Sequence, residues 1–220
     1  MKAQRFLPSG FTLAEILIVL GVVAALAALT IPALNRAVSG AQKAQSVNNL
    51  RQIGGAIIAY ATDNNGSLPA VNSATSTERW ARTLIAQISG IPYGTPESYA
   101  SSRRLGKMFR SPLDKVVRSD RNDLVCSYGL NFAVQNNNTS GTVTPVKMIA
   151  IQQPANTILA GELRTVDNTV NNALGHSLSR LNGTGDFYPD GNLYVMADGS
   201  VRMIRKAETQ GPPNLWNFSK

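Results

Sequence analysis

One carboxylate stands inside a stretch of chain that carries no other charge. Glu15 lies in FTLAEILIVLGVVAALAALTIPAL, which starts at Phe11, and nineteen uncharged residues follow from Ile16 to Leu34. An ionised side chain is costly in lipid and is tolerated there when it has a partner, such as a buried amine. A second group of acids sits near the C-terminus: Asp186, Asp190 and Asp198, with Asn192 between them, in the glycine-rich GTGDFYPDGN and the ADG that follows. Oxygen donors on flexible loops suit calcium, so Asp186, Asp190 and Asp198 are candidate ligands for Ca²⁺, although their spacing is not that of an EF-hand loop. Turn formation explains the same residues and is the favoured reading, because Asp-Gly occurs twice and Gly-x-Gly once. For Asp198 the turn alone suffices.

The remaining reactive side chains offer little. A single cysteine, Cys126, excludes an intramolecular disulfide, and a single histidine, His176, leaves no zinc site or Cys/His pair to build. Cys126 opens an apolar run and reads as a small buried hydrophobe. His176 falls in the loop-like GHSLSR. Glu162 follows ILAG and reads as a surface or strand-end acid rather than a group in a cleft. There is no G-x-S-x-G elbow, and the residue set does not support an enzyme. The formal net charge is +8, but Lys and Arg never run beyond the pair Arg103-Arg104. So dispersed an excess argues against a nucleic-acid partner.

The elements that must hold these residues begin with a long helix. The stretch from Ile16 to Leu34 is long enough to cross a bilayer, and Lys2 and Arg5 before it place the N-terminus in the cytoplasm. A secretory signal peptide, with Ala25 and Ala27 offering a cleavage site, and a plain anchor are the competing readings, and neither accounts for Glu15. Beyond Leu34, apolar residues recur at Val38, Ala41, Ala44, Val47, Leu50, Ile53, Ile57 and Tyr60. That spacing predicts an amphipathic continuation, with Lys43, Asn48, Asn49, Arg51 and Gln52 mostly off the stripe. Asp63-Asn64-Asn65-Gly66 ends it, giving one helix over 11–62 of roughly 78 Å. Gly54-Gly55 inside it marks either a close approach by a neighbouring element or two tolerated glycines. Further on, Ser76 or Thr77 caps a short helix with Trp80, Leu84 and Ile88 inside, and 98–109 forms another. Strands are expected at Cys126–Leu130, Val146–Ile151 and Thr157–Ala160, and a tight hairpin at Asp198-Gly199.

The residues Gly10-Phe11-Thr12-Leu13-Ala14-Glu15, ahead of an unbroken apolar helix, resemble the cleavage and methylation motif of type IV pilins and type II secretion pseudopilins. The resemblance implies a prepilin peptidase cutting after Gly10, methylation of Phe11, and an assembly carboxylate at Glu15 that pairs with a neighbour's terminal amine. Pro32 is similar to the proline that often kinks the family helix, and Ala14 replaces a bulkier aliphatic. A second resemblance, to a bacterial prepilin-like family ending in His, nine residues, then Asp-Gly, rests on 48–69, FRSPLDK, SYGLN, PANTILAGE and the Asp198 turn. Here Tyr188 stands where that histidine would be.

The expected fold is α+β and pilin-like: one long N-terminal helix, membrane-spanning in its first half, packed on a small, mostly antiparallel sheet with a short extra helix. The segments are a leader (1–10), a transmembrane and assembly helix (11–34), its amphipathic continuation (35–62) and an exported domain (63–220). The expected function is a structural subunit of a type II secretion pseudopilus or type IV pilus-like filament. Its partners would be the prepilin peptidase, neighbouring subunits, the assembly machinery and the inner membrane, with the domain periplasmic or extracellular. The alternative is a membrane-anchored or surface-displayed module that binds a glycan, DNA or another ligand through the same processing route.

Overall fold

The computed structural model describes residues 12–71, 80–92, 95–115, 126–137, 143–163, 173–174, 187–211 and 214–218. Helix α1 runs unbroken from Leu13 to Asp63 and passes through Pro32. The chain divides into two compact units, 1–41 and 42–220. In the first unit the apolar side chains of α1 lie open: Leu13 is 82% exposed and Leu29 76%. That part of the helix is long and apolar enough to cross a membrane.

In the second unit the same helix becomes a core element. Ser46, Asn49, Leu50, Ile53, Gly54, Ile57 and Ala61 are buried, one face of a 3.6-residue repeat. The predicted stripe is centred on this face, with Val47 and Tyr60 at its edges, but Asn49 belongs inside it and Ala44 is exposed. Asn64 and Gly66 close the helix C-terminus on Tyr60 and Ala61 carbonyls.

Two short helices follow, α2 (Trp80–Ser89) and α3 (Pro96–Leu105), the latter passing into a 3-10 turn at Gly106–Phe109. Trp80 packs edge-on against Phe109 with centroids 5.4 Å apart. Leu84 and Ile85 complete the inner face of α2, whereas Ile88, expected there, is 45% exposed. The expected cap at Ser76 or Thr77 lies outside the described residues. The sheet contains β1 (Tyr128–Asn131), β4 (Ile158–Glu162), β5 (Ala173–Leu174), β6 (Asn192–Met196) and β7 (Val201–Ile204), in the order β5-β1-β4-β6-β7. All pairs are antiparallel except β1 with the two-residue β5. A separate ribbon pairs β2 (Gln135–Asn137) with β3 (Val143–Pro145).

The hairpin at Asp198-Gly199 joins β6 to β7, with Gly199 at φ +84° and Asp198 Oδ1 accepting the Ser200 N–H at 2.8 Å. Val146–Ile151 is not a strand. Lys147 makes an isolated bridge with Ser67, and Met148–Ala150 is a 3-10 turn with Ile149 91% exposed. An apolar run without alternation does not distinguish a strand from a turn whose side chains face outward.

Gly54 and Gly55 separate into the two readings of the pair. A Cβ on Gly54 would stand 2.5 Å from Val195 Cγ2 in β6, while one on Gly55 meets nothing within 4 Å. Gly54→Ala is expected to cost about 1–3 kcal/mol through overpacking. Gly55→Ala, at an exposed helical position, should instead gain about 0.5–1 kcal/mol. Thermal midpoints of the two variants, moving in opposite directions, check this.

Candidate functional site

The helix start builds its own cap. Thr12 donates its backbone N–H to Glu15 Oε2 at 2.8 Å and its hydroxyl to the same oxygen at 2.9 Å; the Glu15 N–H returns to Thr12 Oγ1 at 3.3 Å. This reciprocal Thr-x-x-Glu arrangement is a capping box, which satisfies donors that no earlier turn can reach. The pattern stands in the sequence as Thr12-Leu13-Ala14-Glu15, a Thr-x-x-Glu at the start of the apolar run. Glu15 therefore has a task within its own chain. Gly10 and Phe11 lie outside the described residues.

A second polar centre is enclosed by the domain. Glu162, at the end of β4, is 1% exposed. Its Oε1 accepts the hydroxyls of Tyr188 at 3.2 Å and Ser111 at 3.3 Å, and its Oε2 accepts the Leu193 N–H at 3.3 Å. Ser111 Oγ lies 3.1 Å from Ser46 Oγ, and Asn49 Nδ2 donates to the Arg110 carbonyl at 3.0 Å and to the Tyr128 hydroxyl at 3.3 Å. Thus α1, the loop at 110–111, β1, β4, the turn at 188–191 and β6 meet on one carboxyl. Among the described residues no cation pairs with it, and the Lys43 ammonium sits 5.6 Å over the Tyr188 ring.

Glu162 is the strand-end acid expected after ILAG, but the surface placement is corrected here, as is the off-stripe placement of Asn49. Every residue of β4 is buried, so the strand is covered on both sides and an acid continuing it is covered too. Tyr188, in the place of the resembling family's histidine, is one of the carboxyl's donors.

Burial raises the Glu162 pKa above its ordinary value, opposed by the hydrogen bonds from Leu193, Ser46, Tyr188 and Ser111. The Tyr188 and Tyr128 hydroxyls are pushed up as well, chiefly by burial, with the Glu162 charge adding to both. A carboxyl whose folded pKa is raised favours folding below its unfolded pKa, and that contribution is lost as pH rises through the folded one. Stability of the native chain is therefore expected to fall more steeply above about pH 4.3 than that of Glu162→Gln. The amide costs a fixed amount at the Leu193 N–H, so the difference in slope between the two denaturation-against-pH curves is the readout.

The two calcium candidates that are described lie in different turns, at opposite ends of β6. Asp190 lies in the turn closed by Tyr188 and Gly191, Asp198 is held by Ser200, and Asp186 is outside the described residues. The hydrogen bonds from Ser200 also lower the Asp198 pKa. Among the described residues no three His, Cys, Asp or Glu side chains form a metal-sized group. Cys126 is buried, its thiol on the Tyr128 carbonyl at 3.0 Å, while His176 lies outside the described residues.

Comparison with protein families, curated proteins and solved structures returns no match to this chain.

Proposed function

We propose that this chain is a pilin-like structural subunit. A prepilin peptidase cuts it after Gly10 and methylates Phe11, and the first part of α1 holds it in the bacterial inner membrane. The N-terminus is cytoplasmic and the domain periplasmic or extracellular. Neighbouring copies or related subunits pack through the same helix, in a type II secretion pseudopilus or a type IV pilus-like filament. The observation that carries this reading is the division of labour along one 51-residue helix. Among the described residues the apolar side chains of its first part are exposed, while its second part is a core element of an α+β domain. Apolar surface of that extent needs lipid or another helix to cover it.

Mass spectrometry of the mature N-terminus tests the processing step. A chain beginning at methylated Phe11 is expected. An intact Met1, or a start after Ala27, would sink the reading.

A further inference from the structure

Asn-x-Ser/Thr occurs at Asn65, Asn137, Asn138, Asn182 and Asn217. That tripeptide is the acceptor of N-linked glycosylation, and it belongs on the surface of an exported chain. Only the first copy has an acid two residues earlier, in Asp63-Asn64-Asn65-Gly66-Ser67. The others have Gln135, Asn136, Arg180 and Leu215 at that place. A carboxylate so close to the acceptor amide is a handle that a transferase can hold with a cationic side chain. We propose that Asn65 is an N-glycosylation site.

The fold presents this acceptor outward. Helix α1 ends at Asp63, and the chain turns through Asn65 at φ +54° and Gly66 at φ +78°. The Gly66 N–H on the Ala61 carbonyl at 2.7 Å and the Ser67 N–H on the Asn64 carbonyl at 3.0 Å hold the turn. Asn65 is exposed. Its carbonyl accepts the Lys147 ammonium at 3.0 Å, while its carboxamide makes no hydrogen bond among the described residues. Asn64, by contrast, spends its Nδ2 on the Tyr60 carbonyl at 2.8 Å. A left-handed turn accounts for Asn65 and Gly66. It calls for no hydroxyl at Ser67, whose side chain also makes no hydrogen bond among the described residues.

The donor is an oligosaccharide carried on a lipid pyrophosphate, and the catalyst is a membrane-bound oligosaccharyltransferase. Asn65 Nδ2 attacks the anomeric carbon of the first sugar. A C–N bond forms, the C–O bond to the pyrophosphate breaks, and the lipid pyrophosphate leaves with that electron pair. The amide nitrogen gives up one proton to a base of the transferase. In the folded chain Ser67 bridges Lys147, and Asp63 accepts the Gln87 side-chain amide. Both partners come later in the chain, so the acceptor is open while they have yet to dock. Transfer therefore accompanies export, and the finished fold leaves the sugar outside, on a side chain that packs against nothing.

The site rests on the export part of the proposed function, and one measurement scores the two separately. The full chain is purified from the bacterium that makes it, digested with trypsin and read by mass spectrometry. Peptide 52–79, which holds Asn65 and no other acceptor, is expected to carry a hexose- or N-acetylhexosamine-based adduct. The peptides with the other four acceptors are expected to be unmodified. Asn65→Gln, Asp63→Asn and Ser67→Ala should each remove the adduct, with unchanged thermal midpoints. A glycan found only at another asparagine overturns the proposal, as does an adduct that survives Asn65→Gln or Asp63→Asn. An unmodified 52–79 behind a mature Phe11 also overturns it and spares the processing step. An intact Met1 with the adduct in place does the reverse.

Discussion

Trp216→Ala is expected to destabilise the domain by about 3–5 kcal/mol, lowering its thermal midpoint by roughly 6–20 °C. The indole is fully buried and meets Tyr194 edge-on, with centroids 5.7 Å apart. It fills a small second core with Ile158, Leu163, Tyr194, Met196, Ile204 and Leu215. A cavity there cannot be refilled by the main core. Among the described residues the indole N–H has no hydrogen-bond partner, so its burial is already a cost. Trp216→Phe removes that cost with much of the volume kept and should lose well under half as much. Calorimetric melting of both variants decides the point, and equal losses would mean that the N–H, not the packing, matters.

Glu15→Gln carries the largest functional effect. Two explanations for Glu15 now compete: a carboxylate paired with a neighbour's terminal amine, and a local capping box with Thr12. Gln serves in a capping box nearly as well as Glu but cannot form the ion pair. If charge pairing registers the filament, Glu15→Gln and Glu15→Ala are both expected to abolish assembly, with N-terminal processing and domain melting unchanged. If the cap alone matters, Gln should rescue what Ala loses. Filament or cross-linked oligomer yield across the three chains measures this directly.

The parts legible in sequence were those set by short-range rules. A 3.6-residue stripe gave the helix its inner face, and Asp-Gly between alternating runs gave the β6–β7 hairpin its turn. Gly54 was ambiguous because a close approach depends on Val195, far along the chain. Glu162 was legible as the end of a strand but not as buried, because an acid after a short apolar run reads the same whether a strand is covered on one side or two. The signal available was ILAG itself: an unalternating run marks a strand with both faces covered, and the next residue shares that environment. Asn49 is polar yet in register with Leu50 and Ile53, and its burial depends on the Arg110 carbonyl and the Tyr128 hydroxyl, partners distant in sequence.

The close approach of Gly54 to Val195 also has a temporal side. A ribosome adds roughly 5–20 residues per second, and most of the chain separates these two positions. For on the order of ten seconds, therefore, the stripe of Leu50, Ile53 and Ile57 has been made while the strand that covers it has not. Contacts so distant in sequence close late. A nascent chain of this design carries that uncovered stripe behind an already apolar N-terminal segment, and is served by a holdase, or fast delivery to a translocon, until β6 emerges.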